Sequence, residues 1–240
     1  DVYKRQPWGE AAKSIFYVKK LDYVRVRQSG GEANEALANW TGQTNAPQAV
    51  LDDERARSGW AEILFLAERL APEPALIPAD ARERALCFGL SFELCGEQGL
   101  GWTRRLQLLH PMLSMPDADT NPALAVARRL GAQYGYHPDA VAAADERVVS
   151  ILRLFSEQLA AQRAAGSDYL VGASLSAVDI YWATFAAMLR PLPPEVCPMS
   201  DMMRGAYGAM TPPIEAALDE ALIEHRDRIY ERHLELPLDF

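Results

Sequence analysis

The chain has 240 residues, 49% of them hydrophobic and 24% charged, with 33 acidic against 24 basic side chains and a net charge of −9. A chain of this size buries roughly 70–75% of its unfolded surface, so it needs neither disulfides nor a structural metal, and its apolar content excludes disorder. The acidic balance speaks against a nucleic-acid partner, whose phosphates call for a basic stripe, and the longest nearly unbroken apolar stretch, Ile180 to Leu189, is about half of the roughly 20 residues that a membrane span requires.

Charge is unevenly placed. Lys4, Lys13, Lys19 and Lys20 are all the lysines of the chain, and with Arg5, Arg25 and Arg27 they bring the first 28 residues to +4, which leaves −13 for the remainder. Such a patch suits a small anionic ligand or a solvated helix face. Cys87, Cys95 and Cys197 are an odd number with no C-x-x-C spacing, and no charged, apolar leader precedes them, which reads as free thiols in a reducing, cytoplasmic setting. His110, His137, His225 and His233 are scattered without metal-ligand spacing, so no metal is expected. The chain opens on Asp1 rather than methionine, and the expectation is a start lost or replaced over residues 1–6.

In chain order, Ala11, Ala12, Ile15, Phe16, Val18 and Leu21 recur at helical spacing from about Glu10. Val24 and Val26, alternating with Arg25 and Arg27, read as a half-buried strand. A short helix is predicted around Glu32 to Trp40. Ala46 to Leu51 then reads as a strand opened by proline, Asp52–Asp53 as a turn, and Glu54 to Arg57 as the second arm of a hairpin. Ser58 is predicted to begin a helix, with Trp60, Ile63, Leu64, Ala67 and Leu70 along one stripe. Pro72, Pro74 and Pro78 punctuate a linker.

The remainder reads as helical. Asp80 with Glu83 caps a helix that runs through Phe88, Phe92 and Cys95 until Gly96, Gly99 and Gly101 weaken it. Further helices are predicted from Pro122, over 138–165, from Ser176 to about Leu189, and over 213–234. Ser176-Ala177-Val178-Asp179 has the form of a reciprocal capping box, flanked by Leu175 and Ile180 at the staple positions.

This order of elements, with Ala46-Pro47 opening a strand, Ser58 at a helix start about ten residues later, and Leu170-Val171-Gly172 followed by Ser176 and Asp179, resembles the cytosolic glutathione transferase family along nearly the whole chain. The resemblance implies an α/β plus all-α fold. A thioredoxin-like, glutathione-binding domain over 1–71 (βαβ-ββα, its first strand incomplete) is followed by a linker over 72–79 and an all-helical substrate-binding domain over 80–240. It further implies a cytoplasmic homodimer that acts in detoxification and takes glutathione as co-substrate, with a small apolar electrophile as second substrate and no nucleic acid or membrane as partner.

Residue by residue, the resemblance gives Ala46 the backbone N–H and C=O that pair with the cysteinyl part of glutathione, exposed by a cis bond to Pro47; an ordinary trans proline is the alternative. Ser58 falls where the γ-glutamyl carboxylate is bound at a helix N-terminus, or else it only caps the helix. Arg57 stands where the family usually has Glu or Gln for the γ-glutamyl amine, so either Asp53 supplies the acid or the site prefers an anion. Trp40 either reaches the glycyl end or, as the commoner role, packs in the core. The family's catalytic Ser, Tyr or Cys is expected near Gln6–Gly9, where Gln6, Pro7, Trp8 and Gly9 carry neither hydroxyl nor thiol.

That missing group matters because a free thiol, with a pKa of about 8.5, is only a few per cent ionised at neutral pH. Lowering it by about two units stabilises the thiolate by roughly 2.7 kcal/mol. Trp102, Met112, Met115, Met199, Met202 and Met203 are candidates for an adaptable apolar wall around the electrophile. Two readings follow: an enzyme that activates the glutathione thiolate, or a binding protein that keeps the fold and the γ-glutamyl pocket without catalysis.

Overall fold

The computed structural model describes residues 7–28 and 33–238. The expectations for residues 1–6, Gln6 among them, lie outside these. Helix α1 (Pro7–Val18) opens three residues before the apolar periodicity does, since proline at the first helical position brings its own fixed φ and lacks only an N–H that has no helical partner there. Its stripe of Pro7, Ala11, Ser14 and Ile15 is buried.

The predicted strand at Val24 and Val26 does not form. Residues 21–28 have no regular secondary structure, with Val24 89% and Val26 54% exposed, and a strand buries a face only when it is paired. Of the predicted hairpin, a single antiparallel bridge between Ala49 and Arg57 is present, and it is the one β-pairing among the described residues. The β-sheet of the thioredoxin-like expectation is therefore not confirmed. Helix α2 (Glu35–Thr41) ends at Gly42, whose φ of 70° suits glycine, and it buries no residue.

Helix α3 (Trp60–Leu70) starts later than predicted. Its N-cap is Gly59, and the Glu62 side chain reaches back to the Gly59 amide at 3.2 Å, so Ser58 stands one residue outside the helix. The proline-rich stretch 71–80 is irregular. Asp80 caps α4 (Ala81–Cys95) as predicted, accepting from the amides of Arg82 and Glu83 at 2.9 and 3.0 Å.

The glycine run that reads as a weakened helix is the junction of two. Gly96 closes α4, and Gly99 caps α5 (Leu100–Leu113), which the sequence pattern hides because Arg104 and Arg105 interrupt its apolar stripe while being buried. Gly101 is required by contact: a Cβ there would lie 2.4 Å from a Phe185 ring atom and 2.8 Å from one of Trp8.

A 3₁₀ turn over Pro122–Leu124 leads into α6 (Ala125–Gln133), and the predicted helix over 138–165 is two, α7 (Pro138–Ala142) and α8 (Ala144–Ala164). Helix α9 (Ala177–Phe185) continues as a 3₁₀ turn to Met188. After the unforeseen α10 (Asp201–Gly208), the predicted final helix also divides, into α11 (Pro212–Ala217) and α12 (Glu220–His233), because Asp219 caps the second with a bond from the Ala221 amide at 2.9 Å. No helix among the described residues is long and apolar enough to cross a membrane.

The core is organised around α9. All nine of its residues are buried, and α1, α4 and α12 pack on it. Its start is the predicted capping box: the fully buried Asp179 accepts at Oδ2 from the Ser176 amide and the Ser176 hydroxyl, both at 2.9 Å, and at Oδ1 from the Leu170 amide at 2.8 Å. His225 of α12 adds a fourth bond through Nε2, 3.0 Å from Oδ1. A carboxylate only accepts, so the proton sits on Nε2.

Two changes test this core. Asp179→Ala strands two buried amides and the His225 donor, and is expected to lower unfolding free energy by about 3–5 kcal/mol, on the order of 10 °C in Tm. Gly101→Ala forces Trp8 and Phe185 apart and is expected to destabilise by about 1–3 kcal/mol. Thermal or urea unfolding monitored by circular dichroism measures both; a Gly101→Ala protein as stable as the parent would show that the Trp8–Phe185 contact is loose.

Candidate functional site

The first turns of α1 and α3 meet on one face of α9. Trp8 packs edge-on against Phe185 with ring centroids 4.9 Å apart, and Trp60 packs edge-on against Tyr181 at 5.5 Å. Tyr181 and Phe185 are one helical turn apart, so they project from the same face. The Trp8 indole also donates to the Cys95 carbonyl at 2.9 Å, and the Tyr181 hydroxyl to the Trp60 carbonyl at 3.2 Å. At the far ends, buried Lys19 pairs with Glu68 at 2.5 Å and donates to the Ala71 carbonyl at 2.8 Å. The two helices therefore run side by side in one direction, with their electropositive N-terminal ends at the same rim.

The hairpin brings its two arms to that rim. Ala49 and Arg57 exchange both bonds of an antiparallel bridge, at 2.8 and 2.9 Å. This register sets Ala46–Pro47 and Ser58 at the same end of the hairpin, where α3 begins. The Ala46–Pro47 bond is cis. Ala46 is exposed, and among the described residues nothing hydrogen-bonds to its backbone N–H or C=O. The Ser58 hydroxyl likewise has no partner there.

The charges around the hairpin are mutually engaged. Arg57 pairs with Glu54, which also accepts from Arg69 at 2.7 Å; the Arg69 and Arg57 hydrogen bonds hold the Glu54 carboxyl below its usual range. Arg57 is thus neutralised within its own arm. Glu62 accepts from Arg55 at 2.6 Å, and that bond, followed by the one from the Gly59 amide, lowers its pKa. Asp53 lies apart from Ser58, in an open cleft of about 380 Å³ with Asp52, Glu54 and Trp40. Trp40 is 60% exposed, so its predicted core role is not met: α2 has no buried face on which to pack it. Ala46, Pro47 and Ser58 do not line this cleft.

Of the stretch expected to hold the catalytic group, Pro7 is buried, Trp8 is committed to α9 and the Cys95 carbonyl, and Gly9 has no side chain. One turn further stands Glu10, which the sequence signals only as an acid in the first turn of an apolar helix. It pairs with Lys13 at 3.0 Å, and burial pushes its carboxyl up against the opposing lysine. Glu10 lines a small cavity of about 30 Å³ with Pro7, Thr184, Met188, Met199 and Tyr230.

The predicted apolar wall is only partly assembled. Met199 reaches this cavity; Met203 is buried, Met115 and Met202 are exposed, and Met112 packs with Trp102 in a satellite cluster where the Trp102 indole donates to the Tyr134 carbonyl at 2.9 Å. Burial raises the pKa of Cys87, and raises that of Cys95 well above the ordinary thiol value, so neither is an activated nucleophile. Among the described residues no three His, Cys, Asp or Glu side chains converge as a metal site would require.

The family profile described as glutathione S-transferase, C-terminal domain, matches residues 138–228. No curated protein sequence matches the chain. A glutathione S-transferase domain-containing protein from Marinobacter aquaeolei is 19% identical, with 94% of each chain covered and a TM-score of 0.61. Maleylpyruvate isomerase, a bacterial zeta-class glutathione S-transferase, is 18% identical over 93% of this chain and 92% of its own, with a TM-score of 0.55. A glutathione S-transferase from Methylobacterium radiotolerans, solved in complex with glutathione sulfonate, is 14% identical over 94% and 86%, with a TM-score of 0.54. The chain has the glutathione S-transferase fold, and its residues 138–228 match the profile of the C-terminal domain of that family.

Proposed function

We propose that the protein is a glutathione-dependent enzyme of the transferase type. Residues 1–71 bind the tripeptide, and residues 80–240, joined through 72–79, hold a small electrophile. The observation that carries this reading is the shared rim, where the unpaired backbone edge of Ala46, the free Ser58 hydroxyl and the N-terminal ends of α3 and α1 are adjacent. An exposed backbone edge suits the peptide-like cysteinyl part of glutathione by strand addition, and a helix start with a hydroxyl suits its γ-glutamyl carboxylate. Bound this way, glutathione brings a thiol to the first turn of α1. The chemistry it supplies is thiolate attack on a carbon electrophile. The further setting is that of a cytoplasmic homodimer.

A second reading rests on a specific observation: Pro7, Trp8 and Gly9 offer no hydroxyl or thiol to the sulfur. On that reading the protein binds glutathione without turning substrate over. Retention on immobilised glutathione with conversion of 1-chloro-2,4-dinitrobenzene supports the enzyme, retention without conversion supports the binding protein, and the absence of both leaves the fold alone.

Two outcomes follow for binding. Glutathione at a hundred times its Kd is expected to stabilise the protein by about 2.7 kcal/mol in a thermal shift assay. Ser58→Ala is expected to weaken glutathione binding about tenfold, as the loss of a hydrogen bond to a charged group does. Because Gly59 and Glu62 already cap α3, the same change should leave stability within about 0.5 kcal/mol. A Ser58→Ala protein that loses stability but keeps its affinity would reduce Ser58 to a structural role.

A further inference from the structure

Helix α5 buries two adjacent arginines, and they are treated differently. Arg104 is satisfied: its Nε donates to the Met188 carbonyl at 3.0 Å, Nη1 to Gln107 at 2.7 Å, and Nη2 to the carbonyls of Tyr207 and Ala209 at 3.2 and 2.7 Å. Arg105, only 5% exposed, has two buried donors, Nε and Nη2, with no hydrogen-bond partner. Although the chain carries 33 acidic residues, no carboxylate among the described residues forms an ion pair with Arg105. Its guanidinium instead lies beside Tyr134, with its carbon 5.9 Å from the ring centroid, and its charge and hydrogen bonding to the phenol oppose the burial that raises the phenol pKa. A buried cation without a carboxylate partner is destabilising, and replacing it by an apolar residue of similar size would remove that penalty.

The position of this charge gives it a use. Arg105 is one turn beyond Gly101 on the same face of α5, and Gly101 is in contact with Trp8 of α1. Tyr134 also faces Trp8, with ring centroids 6.3 Å apart. The guanidinium therefore stands behind the first turn of α1, the place to which the proposed glutathione site brings the sulfur. The two free donors are the side-on pair, Nε–H and Nη2–H, which point the same way and match the two oxygens of a carboxylate.

We propose that Arg105 is the recognition residue for a carboxylate on the second substrate, so that the electrophile is an anionic aryl or alkyl carboxylic acid rather than a purely apolar molecule. Trp8, Trp102 and Tyr134 supply the aromatic surroundings for its apolar part. This rests on the reading of the rim as a glutathione site only for the identity of the thiol; the anion site stands on Arg105 itself. For an aryl halide of this class, such as 4-chloro-3-nitrobenzoate, the sulfur of the thiolate bonds to the ring carbon, chloride leaves with the electron pair of the C–Cl bond, and the thiol proton goes to buffer.

The test is equilibrium binding to the full chain, without glutathione, of 4-nitrobenzoate and of its neutral methyl ester, by calorimetry or tryptophan fluorescence. The parent protein is expected to bind the carboxylate 10- to 100-fold more tightly than the ester, about the worth of a charge-assisted bidentate pair. Arg105→Gln is expected to abolish the preference while leaving ester binding and retention on glutathione unchanged, and Arg105→Lys, which keeps the charge but not the fork, to keep only part of it. Arg105→Met is expected to melt at or above the parent temperature, as the removal of an unpaired charge should. No preference in the parent, a preference surviving in Arg105→Gln, or an Arg105→Met protein that loses stability would overturn the proposal. Glutathione titrated separately distinguishes the two readings: carboxylate preference without glutathione binding sinks the transferase function alone, and glutathione binding without carboxylate preference sinks this inference alone.

Discussion

The structure depends on one buried carboxylate. Asp179 has no contact with water, and each of its oxygens accepts two hydrogen bonds from groups that are themselves buried. Such a group is tolerated only when its bonds are complete. Here they come from three separate places in the chain: the capping turn at Ser176, the preceding loop at Leu170, and His225 on α12. The start of α9, the path of the loop that enters it and the position of the last helix are thus fixed by a single side chain. Because the polar side chains of α9 beyond that point all have partners, Tyr181 in the Trp60 carbonyl, Trp182 in the Leu222 carbonyl and Thr184 in the Ile180 carbonyl, the helix can be surrounded on every side.

A surrounded helix can serve as a shared anvil. Tyr181 and Phe185 follow Ser176 within the segment whose register the Asp179 box sets. Their two aromatic partners, Trp60 and Trp8, stand at the first turns of α3 and α1. The distance between the two helix starts is therefore a property of α9 rather than of the loops that precede them. This explains how a rim with few regular strands can still hold its elements in order: the described N-terminal residues have one β-bridge, yet α1 and α3 are each tied to α9 by an aromatic contact and to one another by Lys19.

What can be read from the sequence follows the same division. The Asp80 cap, the capping box at Ser176–Asp179 and the buried stripe of α3 are legible, since each is local: a side chain and a backbone group a few residues apart, or a repeat of period 3.6. Helix α5 is not, because its buried face carries Arg104 and Arg105, whose burial depends on carbonyls 84 to 105 residues away or on no hydrogen-bond partner for the two buried donors of Arg105. Alternation predicts a strand at Val24 and Val26, but it describes what a strand would bury and not whether a neighbour exists to bury it against. Residue type places Trp40 in the core, whereas the seven-residue helix that carries it buries nothing. Of the candidate site, Ala46, Pro47 and Ser58 are reached through the order of a known family, while Glu10 and Arg105 have no sequence signal beyond their charge.

The start of α3 poses a constraint that any ligand there must meet. The amide of its N-cap residue Gly59 is already used by Glu62, whose carboxylate also accepts from Arg55. A ligand carboxylate bound at Ser58 would meet this side chain, and two carboxylates side by side disfavour each other. The Glu62 cap is a local bond of the kind that contributes about 0.5–2 kcal/mol, and its arginine partner is mostly exposed, so a ligand that brings its own compensation can displace it. On the proposed reading the γ-glutamyl group would do so: it carries an ammonium beside its carboxylate, and the ammonium would pair with the displaced Glu62 while the carboxylate met the helix start. Arg57, engaged by Glu54, has no part in that exchange. On the proposed glutathione reading, Glu62, on the first turn of the helix, would take the part of the acid that the family usually places just before the serine.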